Sequence, residues 1–138
     1  MGSSLNFPFM QHMALATIML KKGGIREPHW HPNADEWEYY VKGKARMTVF
    51  SADAHARTMD FHPGDVGYID QSLPHYVENI GDTDLVFLEV FPTAEYQDIS
   101  LGEWLAHTPS RLVNEHIGTG EDFLAKIAKT EVVIAPEK

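Results

Sequence analysis

This sequence predicts an all-β domain followed by a C-terminal helical extension. Three observations carry the reading: short apolar, β-branched and aromatic runs recur from Ala14 to Phe91, turn-forming Gly, Pro, Asn and Asp cluster between them, and from Ser100 the apolar spacing becomes helical. Residues 1–13 read as an N-terminal arm. Its start, Met1-Gly2-Ser3-Ser4, has the form of an expression remnant and carries no weight in the fold.

Ala14–Leu20 is a β-prone run ended by Lys21-Lys22-Gly23-Gly24. Glu36–Val41 and Ala45–Phe50 flank Lys42-Gly43-Lys44, a connection of hairpin length whose glycine supplies the positive φ such turns need. Ala56–Phe61 follows, Pro63-Gly64-Asp65 turns the chain into Val66–Ile69, and His75–Ile80 and Leu85–Phe91 flank Gly81-Asp82-Thr83-Asp84. These strands occupy residues 14–99. In residues 100–138, Ser100 and Glu103 form a capping box leading into Trp104-Leu105-Ala106. Thr108-Pro109 reads as N-cap and first residue of a helix to about His116, with Gly118 as its stop. A last helix carries Phe123, Leu124 and Ile127, and Val132–Ile134 is a β-prone tail.

With 138 residues and 43% hydrophobic content, the chain suits one domain with a real core. A net charge of −9 excludes the nucleic-acid backbone and anionic membrane surfaces as partners. A small anion can still bind where a metal ion or a single arginine supplies local positive charge. There is no cysteine, hence no disulfide, thiolate nucleophile or sulfur-ligated metal. The start lacks a signal-peptide pattern and Ala14–Leu20 is too short to span a bilayer, so the expected location is the cytoplasm.

The chemistry concentrates between Gly23 and Gly43. His29 and His31 are two apart, so on extended chain both imidazoles leave one face and can share an ion. Glu36 is an odd step further, so Pro32-Asn33-Ala34-Asp35 must turn the chain to bring it in. The His-x-His pair alone is weak evidence, since chance supplies roughly 0.5 such pairs in a chain with 8 histidines in 138 residues. The whole string is more specific: Gly23, five residues, His29-x-His31, four residues, Glu36, six residues, Gly43 resembles at every position the first signature motif of the cupin superfamily. Gly64, His75 and Asn79 resemble the second motif, with Asp70 and Ser72 standing where the family has proline and glycine. The resemblance implies a double-stranded β-helix, a jelly-roll-like barrel, and a metal set of His29, His31, Glu36 and His75.

Three imidazoles and a carboxylate leave two positions open on an octahedral ion, whereas a tetrahedral zinc would close the site and make it structural. Arg26 and Glu89 favour the open reading. Arg26, in a turn three residues before His29, would place a guanidinium at the mouth of the site to pair with a carboxylate substrate; the alternative is a surface arginine. Glu89 shares a face with Phe87 and Phe91, and so lies either inside an apolar barrel or on an exposed aromatic face. Glu38 and Tyr40 alternate with Glu36 and are candidates to support the ligands. Trp30, Trp37 and Trp104 read as core, and His12, His55, His62, His107 and His116 as surface or capping residues.

The segments Ile25–Asn33, Glu36–Tyr40, Gly43–Phe50, Gly64–Tyr68 and His75–Gly81 further resemble the bacterial oxalate decarboxylases, from about Asn6 to Lys129. That resemblance implies Mn(2+) on the four ligands, with other divalent metals compatible with nitrogen and oxygen donors. It also implies oxalate as substrate, Arg26 polarising it, Glu89 handling protons, and dioxygen as a co-catalyst that is not consumed. The expected reaction is that of a carbon–carbon lyase giving formate and carbon dioxide. The alternatives are oxalate oxidase chemistry at the same site, or a metal-binding cupin without turnover. Two departures stand out. This chain has one cupin where the family has two, so the apolar helices after Ser100 are expected to pack on another subunit in a homodimer or larger homo-oligomer. Where the family carries a lid glutamate, this chain reads Glu95-Tyr96-Gln97-Asp98-Ile99-Ser100, with Glu95 or Asp98 as substitutes.

Overall fold

A computed structural model describes residues 2–130 and 132–135, apart from the Glu121 side chain; the rest of the expected extension, residues 136–138, lies outside the described residues. Strands form where the side chains alternate. In β1 (Ala14–Leu20), Ala14, Ala16, Ile18 and Leu20 are buried and the residues between them exposed. β2 (Ile25–Trp30) forms where the sequence reading bounds no strand, while β3 (Glu36–Lys42), β4 (Ala45–Phe50), β5 (Ala56–Phe61), β6 (Val66–Ile69), β7 (His75–Asn79) and β8 (Leu85–Phe91) fall close to the expected boundaries. Two antiparallel sheets result. One has the order β1-β8-β3-β6. The other has β10 (Ile134–Ala135)-β2-β7-β4-β5, with β9 (Ile99–Ser100) also on β2.

The connection Lys42-Gly43-Lys44 is of hairpin length but makes no hairpin. β3 pairs with β8 and β6 while β4 pairs with β5 and β7, so the chain crosses here from one sheet to the other. Residues 81–84 cross back the same way between β7 and β8. The crossing at Gly43 needs a glycine, because φ is 92° and a Cβ would sit 2.7 Å from the Leu85 Cα.

Ser100 caps α1 (Leu101–His107) as expected, its hydroxyl accepting from the Glu103 amide at 3.2 Å. Thr108 does not open the next helix. Its amide donates to the carbonyls of Trp104 and Leu105 and its hydroxyl to Trp104, so it ends α1. α2 (Ser110–Ile117) starts after Pro109 with no side-chain cap, and α3 (Glu121–Leu124) stops before Ile127. Val113, expected to face another subunit, is buried within the chain. The arm also differs from expectation: Gly2 pairs with Leu15 through bonds of 2.7 and 2.8 Å, and the Ser4 amide donates to Ala94. Trp37 is 49% and Trp104 57% exposed rather than core, and for Trp37 the cause is phase, since it alternates with the inward Glu36 and Glu38.

Strand register stacks the interior in layers. Tyr40 pairs with Phe87, and Phe87 with Ile18; together with Leu20, Met47, Val77 and Leu85 they fill one end of the barrel. One step along, Glu38 pairs with Glu89 and Glu89 with Ala16, and a polar layer begins. Beyond it Phe91 and Ala14 close the other end. Asn79 ties the crossing at residues 81–84 to the end of β1: its amide donates to the carbonyls of Leu20 (3.0 Å) and Thr83 (2.8 Å), and its carbonyl accepts from the Gly81 amide (3.0 Å). All three bonds are lost in Asn79→Ala, which is expected to lower unfolding free energy by about 2–4 kcal/mol. Urea denaturation measures this; a change below about 0.5 kcal/mol would show that the crossing holds without it.

Candidate metal centre

The polar layer gathers side chains from four strands and two loops. β2 shifts register between Arg26 and His29, and this irregularity turns both inward although they are an odd step apart. Arg26 therefore lies in a strand and only 1% exposed, not in a turn at the mouth of the site. His29 pairs with His75 on β7, and Glu36 opens β3 opposite Ile69. His31 follows the end of β2, where its carbonyl accepts from the Ser72 amide at 2.9 Å. Ser72 stands at the position the family fills with glycine and keeps glycine's geometry, with φ of 66°. The loop shape survives the departure.

His29, His31, Glu36 and His75 each offer one donor atom within 4.8 Å of the others, and all four are buried. Each imidazole is pinned through Nδ1 to a backbone carbonyl: His29 to Glu27 (2.6 Å), His31 to Gln97 (2.9 Å) and His75 to Leu73 (2.9 Å). With Nδ1 donating, the Nε2 lone pairs face the centre. There His31 Nε2 and His75 Nε2 lie 3.1 and 2.9 Å from Glu36 Oε2, without the alignment of hydrogen bonds. Buried, unpartnered donors of this kind fit a divalent cation, and nitrogen and oxygen ligands in this ratio suit manganese, iron, nickel, copper or zinc.

The electrostatics of His29 and Glu36 agree with that fit, whereas for His31 contact with Glu36 outweighs burial and raises the imidazole, so a cation there competes with a proton. Burial first, then the charge of Arg26, push His29 down to about 3, so it stays neutral at physiological pH. Burial opposes the charge on Glu36, but contact with His31 and His75 outweighs it and holds the carboxyl below the usual range. Glu89 is inside the barrel, 1% exposed, resolving the choice its strand position left open. Its carboxylate lies 3.6 Å from Arg26 Nε. Burial and the charge of Glu36 nonetheless push it up to about 8. Glu38, opposite it in register, accepts a hydrogen bond from the Tyr40 hydroxyl and is raised well above the carboxylate range, by burial and then by Glu36.

Residues 95–98 cover this layer. Asn33 clamps them, its amide donating to the Glu95 carbonyl (2.8 Å) and its carbonyl accepting from the Gln97 amide (2.9 Å). Tyr96 stacks on Phe91 at 4.7 Å and meets His31 edge-on at 5.7 Å. Asp98 forms an ion pair with Arg26 inside the site, whereas the Glu95 carboxylate points out to the Ser4 hydroxyl at 3.2 Å. The sequence reading missed the clamp by Asn33 and the pairing of Arg26 with Asp98. Partners 72 residues apart leave no local pattern.

Residues 3–122 match the sequence profile of the Cupin family. The chain is 47% identical over 137 residues to the oxalate decarboxylase of Bacillus subtilis, covering 99% of this chain and 36% of that protein. It is 41% identical over 132 residues to an oxalate decarboxylase of Arthroderma benhamiae, covering 95% of this chain and 31% of that protein. The chain thus spans about a third of the length of these relatives. A solved structure of the Bacillus subtilis oxalate decarboxylase, studied for its Mn(II) centres, superposes with a TM-score of 0.97 at 47% identity over 99% of this chain and 36% of that one.

If the four donors share one ion, His75→Ala should cut bound manganese at least about tenfold, since it removes a ligand outright. Added manganese at 100 times its dissociation constant should stabilise the parent by about 2.7 kcal/mol and leave the variant nearly unchanged. Metal analysis and thermal melts check both; equal occupancy in parent and variant would rule out the four-donor arrangement.

Proposed function

The chain belongs to the cupin family, and from that premise we propose that it holds one divalent ion, manganese first, on His29, His31, Glu36 and His75 and cleaves oxalate to formate and carbon dioxide. The observation that carries the reading is the buried cluster of four unpartnered donors with the Arg26 guanidinium and the Glu89 carboxyl beside it. The oxalate decarboxylases among its relatives give the substrate class. A bound manganese ion would supply a Lewis acid and a one-electron redox partner for carbon–carbon cleavage.

The chain's own residues do the rest. Arg26, held above its ordinary pKa against burial by Glu89 and Asp98, is a permanent cation in a dry site and offers a planar fork to a carboxylate. In this structure Asp98 pairs with Nη2 of that fork. Oxalate takes the place of the Asp98 carboxylate on Arg26, so the segment from Glu95 to Ser100 yields as substrate enters and closes again over it. Cleavage of the oxalate dianion releases carbon dioxide and leaves a one-carbon fragment that needs one proton to leave as formate. Glu89, raised toward neutrality, holds that proton within the site, and Asp98, released from Arg26, is the second candidate. Phe91 and Tyr96 keep bulk water from competing.

Oxidase chemistry at the same site is the second reading, favoured by one observation: Glu95 points away and Asp98 is held ionised by Arg26, which leaves the lid without a protonated acid. A metal-binding protein without turnover is the third. Trp104, Leu112, Ile117 and Phe123 are exposed on the helices and support a homo-oligomer. Among the described residues no helix is long and apolar enough to cross a membrane, which is compatible with the cytoplasmic reading.

Manganese-loaded protein given oxalate in air is expected to yield formate with little peroxide. Arg26→Lys should keep its metal and melting temperature while losing turnover by about a hundredfold or more, because lysine offers no fork. Peroxide as the sole product would establish the oxidase reading, and no product of either kind would leave a binding protein.

A further inference from the structure

The two sheets do not close on each other along their whole length. On the inner face of β5, opposite Ala45, Met47 and Val49 of β4, stand Phe61, Met59 and Arg57. Phe61 is buried and stacks at 4.6 Å on Tyr40 of the other sheet, Met59 is half-buried and Arg57 is exposed, so the sheets part progressively toward Arg57. The gap between β4, β5 and β6 is a cavity of about 500 Å³. Its floor is apolar, made by Val49, Met59, Ile69 and Leu73. Ile69 pairs with Glu36 and Val49 with His75, so this floor backs onto two of the four metal donors, neither of which lines the cavity.

The rim of this cavity carries a cation that the protein does not answer. Of the four arginines in the chain, Arg26, Arg46 and Arg111 pair with Asp98, Asp60 and Glu115, whereas no carboxylate among the described residues pairs with Arg57. Acidic residues outnumber basic ones by 20 to 11, so an arginine left without one is the exception. Asp70, the single carboxylate on the lining, accepts from the Tyr68 hydroxyl at 3.0 Å instead. We propose that the cavity binds a monocarboxylate with an apolar body, its carboxylate on Arg57 and its hydrocarbon part on the floor. A guanidinium offers the planar fork that a carboxylate fits, and the volume lies in the range of small-molecule sites, roughly 300–1,000 Å³. One cation with Asp70 on the same rim does not balance a dianion, and neither oxalate nor phosphate has a hydrocarbon part to cover Val49, Met59, Ile69 and Leu73. A neutral apolar molecule would cover the floor and leave Arg57 unused. The site is separate from the metal centre, and the inference does not depend on the reaction.

Titration calorimetry of the metal-loaded full chain with benzoate, its neutral isostere benzamide, and acetate tests this. Benzoate is expected to bind with a dissociation constant below about 1 mM. Benzamide, which lacks the charge, and acetate, which lacks the apolar body, should each bind at least about tenfold more weakly. Arg57→Gln should weaken benzoate at least about tenfold while leaving benzamide binding and metal content unchanged. No benzoate binding overturns the proposal, as does equal affinity for benzoate and either control. So does an Arg57→Gln variant with unchanged benzoate affinity, which would put the ligand at the metal centre instead. Should that variant fail to fold, crystals of the parent with para-bromobenzoate decide. The bromine anomalous peak is expected against Val49, Met59, Ile69 and Leu73, and a peak elsewhere, or none, overturns the proposal equally.

Discussion

Three imidazole lone pairs and a carboxylate aimed at one point inside a dry barrel would repel one another if nothing lay between them. The fold nonetheless enforces the arrangement. Each Nδ1 is committed to a backbone carbonyl, from Glu27, Gln97 and Leu73, so none of the three rings can turn its free nitrogen away without orphaning that carbonyl. The irregularity in β2, the left-handed Ser72 and the crossing at Gly43 all serve to place these few atoms. Apolar layers on either side, Phe87 with Tyr40 and Phe91 with Ala14, keep the dielectric low and the cost of an unfilled centre high.

Charge inside the layer is balanced around that centre. Glu36, Glu38 and Glu89 bring donor oxygens within 4.8 Å of one another, and Arg26 is the buried arginine beside them. Burial and mutual repulsion keep Glu38 and Glu89 protonated more than ordinary carboxyls, while Glu36, in contact with two imidazoles, stays ionised. One carboxylate is thus fitted for a metal and another for a proton, from the same residue type, by environment alone. Asp98 adds a further negative group, paired with Arg26 from the segment that covers the layer.

Much of this was legible in the sequence where spacing carries geometry. Strand periods located β1 and β3 to β8, and the spacing of His29, His31 and Glu36 marked the centre, with family resemblance adding His75. What was not legible depends on contacts far apart in sequence. Lys42-Gly43-Lys44 looks like a hairpin because loop length does not encode which sheet the next strand joins. Arg26 looked superficial because an irregularity, invisible to a period of two, turns it inward. Trp37 looked like core because size suggests burial, but the inward phase of β3 belongs to Glu36, Glu38 and Tyr40. Thr108 has the composition of an N-cap, and only the carbonyl of Trp104 within reach of its hydroxyl reveals that it closes a helix.

Everything functional in this account follows from one ion on four side chains. Diffraction from manganese-loaded crystals, collected at the manganese absorption edge, tests that claim most directly. The account predicts a single strong anomalous peak per chain, about 2.0–2.3 Å from Nε2 of His29, His31 and His75 and from an oxygen of Glu36. A peak elsewhere, or none at the convergence of these four residues, would contradict it.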